Sequence, residues 1–206
     1  MSKEKKNFCI SGLKPELRKT IALSETNEEV HNFLAHDRDI KVVIGLTKNL
    51  STSPNLHTDL ACHPHKDVRA AVASGKRTSV ETLTLLSTDD DVIVKGQVAK
   101  NPTTSILTLI TLSEDKEEHV RACVASSTTM GHVLDKLSED ESVSVRIAVA
   151  ENVYITPTAA QTLATDDDTS VLFSLKNTLL NRHDQDKELL RELKKYKNPK
   201  KSRVKF

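Results

Sequence analysis

The sequence predicts an all-α protein: a right-handed α-helical solenoid of about seven two-helix repeats, each of 25–26 residues and pairing an α-helix with a second short α- or 3₁₀-helix. Three observations predict it. A leucine is followed eight residues later by a valine six times, at Leu34/Val42, Leu60/Val68, Leu86/Val94, Leu112/Val120, Leu137/Val145 and Leu163/Val171, with the valines 26, 26, 26, 25 and 26 residues apart. Each valine opens an apolar i, i+4 pair, as in Val68/Val72, Val120/Val124 and Val145/Val149, which stacks two side chains on one helix face. Helix start and stop residues recur in step with the same period.

The elements follow in order. Residues 1–16 are an N-terminal extension, and residues 17–196 form one array with units 17–41, 42–67, 68–93, 94–119, 120–144, 145–170 and 171–196. Leu17 and Ile21 take the place of the first apolar pair, and Thr26 to Leu34 supply the first unit's second helix. In the units that follow, Ser53, Ser79, Ser105 and Thr156 stand where a hydroxyl accepts from the unpaired first-turn N–H groups of the second helix. Pro54 and Pro157 follow two of them at the first helical position. Asn49, Asn101 and Asn152 end first helices, where a left-handed residue would stop them. Acidic turns such as Asp89-Asp90-Asp91, Glu139-Asp140-Glu141 and Asp166-Asp167-Asp168 precede the next helix, whose N-terminal dipole favours carboxylates. Val171/Leu175 begin the last unit, and a helix from about Asp186 through Leu189, Leu190 and Leu193 caps it before a basic tail at 197–206.

Composition narrows the class. Aromatic residues are 3% of the chain and Trp is absent, so the core must be layers of Leu, Val, Ile and Ala. No apolar run approaches the roughly 18 residues of a membrane span. The basic start is followed by no apolar secretion core, and the three scattered cysteines suggest no disulfide framework, so a cytoplasmic protein with no membrane contact is expected.

The phrase from Val145 to Asn152, continued by Thr156-Pro157, Leu163-Ala164 and Asp166-Asp167-Asp168, resembles the unit of the leucine-rich repeat variant family, as do the runs Val120–Ala125 and Val68–Ala73. The resemblance covers roughly residues 17–190. It implies α- and short 3₁₀-type helices alternating in two layers, a relative of HEAT-like stacks found mostly in bacterial proteins. Some members carry an iron–sulfur cluster on an N-terminal cysteine group; Cys9 stands alone here, so no cofactor is expected.

The residue after each repeated valine is the first candidate for function: Arg69, Lys95, Arg121 and Arg146. With repeats stacked 8–10 Å apart, four such cations would make a row roughly 30 Å long, suited to carboxylates of a protein partner or to a phosphate backbone. The competing reading is a ladder in which each cation pairs with an acidic turn; it loses its charge at Val43 and Leu172. The second candidate is the tail with Lys194, Lys195, Lys197, Lys200, Lys201, Arg203 and Lys205, which can draw nucleic acid or an acidic partner without sequence preference. Against nucleic acid, residues 1–192 carry 23 basic residues and 29 acids. His57, Cys62, His63 and His65 are metal-ligand types, but their spacing suits no tetrahedral motif and no metal site is expected. No phosphate loop, serine elbow or metalloprotease helix is present. The reading is a non-enzymatic scaffold that docks a macromolecular, chiefly protein, partner; the alternative is a nucleic-acid-associated protein using the cation row and the tail.

Overall fold

The computed structural model describes residues 10–181, and among these there are thirteen α-helices and no strand. First helices of the repeats are α1 (Pro15–Ser24), α3 (Ile40–Lys48), α5 (Lys66–Ala73), α7 (Val92–Lys100), α9 (Glu118–Ser127), α11 (Val143–Glu151) and α13 (Thr169–Asn181). Second helices are α2 (Glu28–Leu34), α4 (Pro54–Ala61), α6 (Val80–Leu86), α8 (Ile106–Leu112), α10 (Gly131–Leu137) and α12 (Pro157–Leu163). All six are α-helical, and no 3₁₀ segment occurs among the described residues. The fold is an all-α helical repeat.

Each first helix begins two residues before its valine, or Leu17 in the first unit, and several are capped by the turn preceding them. Asp39 and Asp91 accept backbone N–H groups of α3 and α7 on their carboxylates, and Asp168 receives the Ser170 N–H at 2.7 Å. Ser53, Ser79, Ser105 and Thr156 accept from the N–H three residues on, which closes the first turn of each second helix. Pro54 and Pro157 occupy the predicted first-turn positions.

The chain divides within α8 into two compact units, Met1–Thr108 and Leu109–Phe206. In the first, α1 packs on α3, α3 on α5 and α5 on α7; in the second, α9 packs on α11 and α11 on α13. The paired valine and leucine side chains lie in these layers. Val42/Leu46, Val68/Val72, Val94/Val98, Val120/Val124, Val145/Val149 and Val171/Leu175 are all fully buried, each side chain contributing roughly 1.5–3 kcal/mol. The repeated leucines Leu34, Leu60, Leu86, Leu112, Leu137 and Leu163 are buried as well. The first unit departs from the template, since Leu17 is 53% exposed while Ala22 is buried. Among the described residues, helix α1 packs on α3 and, less extensively, on α2.

The asparagines correct one expectation. Asn49, Asn101 and Asn152 are extended, with φ near −70° to −80° and ψ near 125°, and none adopts the left-handed conformation. The Asn101 Nδ2 donates to Ala73 O at 2.7 Å and Gly75 O at 2.9 Å, and that of Asn49 to Ala22 O and Glu25 O. The Asn152 Nδ2 likewise reaches Ala125 O and Thr128 O. Their Oδ1 atoms accept from the N–H of Ser51, Thr103 and Tyr154. Each asparagine therefore ties the end of its own helix to the carbonyls that end the previous repeat's first helix. Buried carbonyls need such partners.

Candidate functional site

A first-helix arginine one residue after the apolar position leaves the buried face by about 100° and reaches the turns at the helix N-termini. There Arg69 Nε and Nη2 donate to Asp89 at 2.6 and 2.9 Å, and Nη1 donates to the carbonyls of His63 and Pro64. Arg121 binds Asp140 at 2.7 and 2.9 Å and the carbonyls of Asp115 and Lys116. Arg146 binds Asp166 at 2.6 and 3.2 Å and the carbonyls of Asp140 and Glu141. Each fork uses four of its five N–H groups to join the turn before its own helix to the turn before the next. This is the bidentate geometry that arginine makes and lysine does not.

The clamp reaches a residue that the period alone did not select. Arg18 binds Asp37 through Nε at 2.6 Å and Nη2 at 2.8 Å, and Leu13 O through Nη1. Its position after Leu17, in the first unit of the template, is the signal. The ladder thus has a charged member on the N-terminal side of Val43, and its interruption there is matched in the turn. Twenty residues beyond Val43, where the pattern Arg69/Asp89 places an aspartate, stands His63. His63 Nδ1 accepts the N–H of His65 at 3.0 Å, the role that Asp89 Oδ1 performs for the Asp91 N–H at 2.8 Å. The turn is kept and the ion pair is dropped. Lys95 holds the equivalent position after Val94 and is buried.

Electrostatics agrees with the geometry. Burial pushes the carboxyls of Asp37, Asp89 and Asp140 up, but the guanidinium hydrogen bonds and the N–H two residues on outweigh it and hold all three below the usual carboxylate range. Arg18, Arg69, Arg121 and Arg146 are held above the usual arginine value, first by the hydrogen bond to the paired aspartate. The arginines of the predicted contact row are therefore paired with and ordered by the acidic turns, the arrangement of the ladder reading.

Of the metal-ligand types noted in the sequence, His63 and His65 shape the turn before α5, and no cluster of three or more His, Cys, Asp or Glu able to hold a metal occurs among the described residues. His57 lies on α4, 26 residues after His31 and before Leu83, so two histidines stand where α6 places a core leucine. His31 Nδ1 and His57 Nε2 are buried without a hydrogen-bond partner among the described residues. Burial first, then the charge of Arg77, pushes His57 below the ordinary histidine value. A histidine depressed in the folded state takes its proton less readily there than when unfolded, so it costs stability as pH falls below about 6.5. His63, depressed chiefly by burial, adds to the same slope. Thermal melts at pH 7.5 and 5.5 are expected to show a smaller loss for His57→Leu than for the parent chain; equal losses would assign the slope elsewhere.

The tail residues Lys194, Lys195, Lys197, Lys200, Lys201, Arg203 and Lys205, and the capping helix expected near Asp186, lie outside the described residues. No described helix is long and apolar enough to cross a membrane. Among the large apolar side chains exposed on the described residues, Ile106 and Leu107 on α8 are 65% and 74% exposed, and Val80 and Leu85 on α6 are also exposed.

No protein-family model matches the chain, and no curated protein matches it. Among solved structures it is similar to one described as a leucine-rich repeat variant with a novel repetitive protein structural motif, at 25% identity and a TM-score of 0.65. That likeness covers 86% of this chain and 72% of the other. The alternation of first and second helices and this structural likeness agree: the chain is an all-α helical repeat protein whose fold is similar to that of a leucine-rich repeat variant.

Proposed function

We propose that this chain is a non-enzymatic cytoplasmic scaffold whose surface docks a protein partner, with the arginine clamps serving as architecture and not as the contact. The observation that carries the reading is the set of exposed apolar side chains on two consecutive second helices, Val80 and Leu85 on α6 and Ile106 and Leu107 on α8. Large apolar groups exposed on consecutive helices favour a partner that removes them from water. Repeat folds supply such surfaces by extension, without a catalytic pocket. The nucleic-acid alternative draws less support, because residues 109–181 contain 12 acids against 5 Lys and Arg, a balance that repels phosphate.

Affinity capture with the full chain, at two salt concentrations, separates the two. A protein should be retained in stoichiometric amount, lost with Leu107→Asp, and kept when Lys200, Lys201, Arg203 and Lys205 are changed to Gln. Retention of nucleic acid instead, released by salt and indifferent to Leu107→Asp, would overturn the reading.

A further inference from the structure

The asparagine that ties successive first helices together at positions 49 and 101 is missing midway between them, where Gly75 stands. A Cβ there would lie 2.9 Å from Thr78 Oγ1 and 3.0 Å from Val72 O, too close for a side chain, and 3.6 Å from the buried His57 Nε2. Thr78 Oγ1 bonds back to Val72 O, as Thr52 and Thr104 do to Leu46 O and Val98 O in the neighbouring repeats. Gly75 has no amide side chain to reach back to the end of α3 as Asn49 and Asn101 reach back to α1 and α5. The link is made by Arg77 instead, whose Nη1 donates to Leu50 O.

The substitution leaves a groove of about 300 Å³ between the ends of α3 and α5. Lys48, Lys76 and Arg77 stand on its rim; Leu50 and Ala71 form its apolar part; Ser74 adds a hydroxyl. No acid is among its lining residues, in a chain where 29 acids stand against 30 basic residues. Neither Lys48 nor Lys76 forms an ion pair among the described residues, unlike the arginines of the clamps. Arg77 is anchored through one nitrogen, so the rest of its planar fork is presented at low entropic cost to a planar anion. Apolar groups beside the cations favour a carboxylate carried next to an aliphatic side chain over a bare, strongly hydrated phosphate.

We infer that this groove is a binding site for an acidic peptide segment, taking a Glu or Asp carboxylate on Arg77 and Lys48 or Lys76 and a neighbouring aliphatic side chain against Leu50 and Ala71. The inference rests on the reading of the chain as a protein-docking scaffold and names the chemistry of one partner segment. It places the contact at the junction where the asparagine ladder is interrupted and where Lys48 and Lys76 form no ion pair among the described residues.

The test is a ¹⁵N NMR titration of the full chain with the peptide acetyl-Glu-Leu-Glu-amide, inorganic phosphate and acetyl-Lys-Leu-Lys-amide. Saturable shifts are expected with the acidic peptide alone, at the amides of Leu50, Gly75 and Lys76 and at the Arg77 Nε–H. Arg77→Gln should weaken binding roughly tenfold, the loss of one charge-assisted fork. Lys48→Gln, which leaves the Leu50 link intact, should weaken it several-fold without changing the melting temperature. Absence of saturable shifts, equal response to phosphate, or indifference to both variants would overturn the proposal. Because the titration needs no partner protein, it can fail while capture through Leu107 succeeds, and the reverse.

Discussion

Asn152→Ala is expected to destabilise the unit beyond Leu109 by about 3 kcal/mol, a large effect for one side chain. The Asn152 Nδ2 satisfies Ala125 O and Thr128 O at 2.7 and 2.9 Å, and the asparagine, Ala125 and Thr128 are all buried. Alanine would leave two carbonyls without a donor where water does not reach, each costing roughly 1–3 kcal/mol. Asn152→Asp is the sharper probe, being nearly isosteric yet unable to donate. A carboxylate facing two carbonyl oxygens should destabilise at neutral pH at least as much as alanine does. Chemical denaturation of both variants checks this; a loss below about 0.5 kcal/mol for either, the usual range of surface changes, would mean the amide is not the tie between repeats.

Arg121→Ala should cost about as much. The Arg121 and Asp140 side chains are 10% and 8% exposed, so deleting the guanidinium strands a nearly buried carboxylate and two turn carbonyls, a loss of roughly 3 kcal/mol. Arg121→Lys should recover only a minor part, because an ammonium cannot span Asp140 and the Asp115 and Lys116 carbonyls as a fixed fork. The same pairs set the acid response. With Asp37, Asp89 and Asp140 held below the ordinary carboxylate value, the folded state holds fewer protons than the unfolded chain near that value. Their contribution is therefore complete above about pH 3.9 and lost as pH falls through their own lower values.

Much of this architecture is legible in the chain. The valine period gives the repeat, and the serine and threonine caps fall where their hydroxyls are placed, because both depend on local chemistry within one helical turn. The asparagines were legible as helix ends but not as ties. A stop signal looks alike whether the residue turns left-handed or stays extended, and the Asn49, Asn101 and Asn152 amides act on carbonyls 24 to 28 residues away. The arginines illustrate the same limit. Their spacing marks them as special, yet only the partner 19 or 20 residues on decides between contact and clamp. The paired change of Val43 and His63 was visible in the sequence, but it gains meaning once Asp89 is seen to bind Arg69. The groove at Gly75 was hidden for a related reason: it is defined by a side chain that is missing from the period, and by Arg77 crossing to Leu50.

The central claim is that the periodic charges hold successive repeats together. A double-mutant cycle on Arg121 and Asp140, read by urea denaturation of Arg121→Ala, Asp140→Ala and the double variant, tests it most directly. The claim predicts a coupling of about 2 kcal/mol, with the double variant little less stable than either single one. Small, additive losses would contradict it and return the arginines to the solvent as candidate contacts.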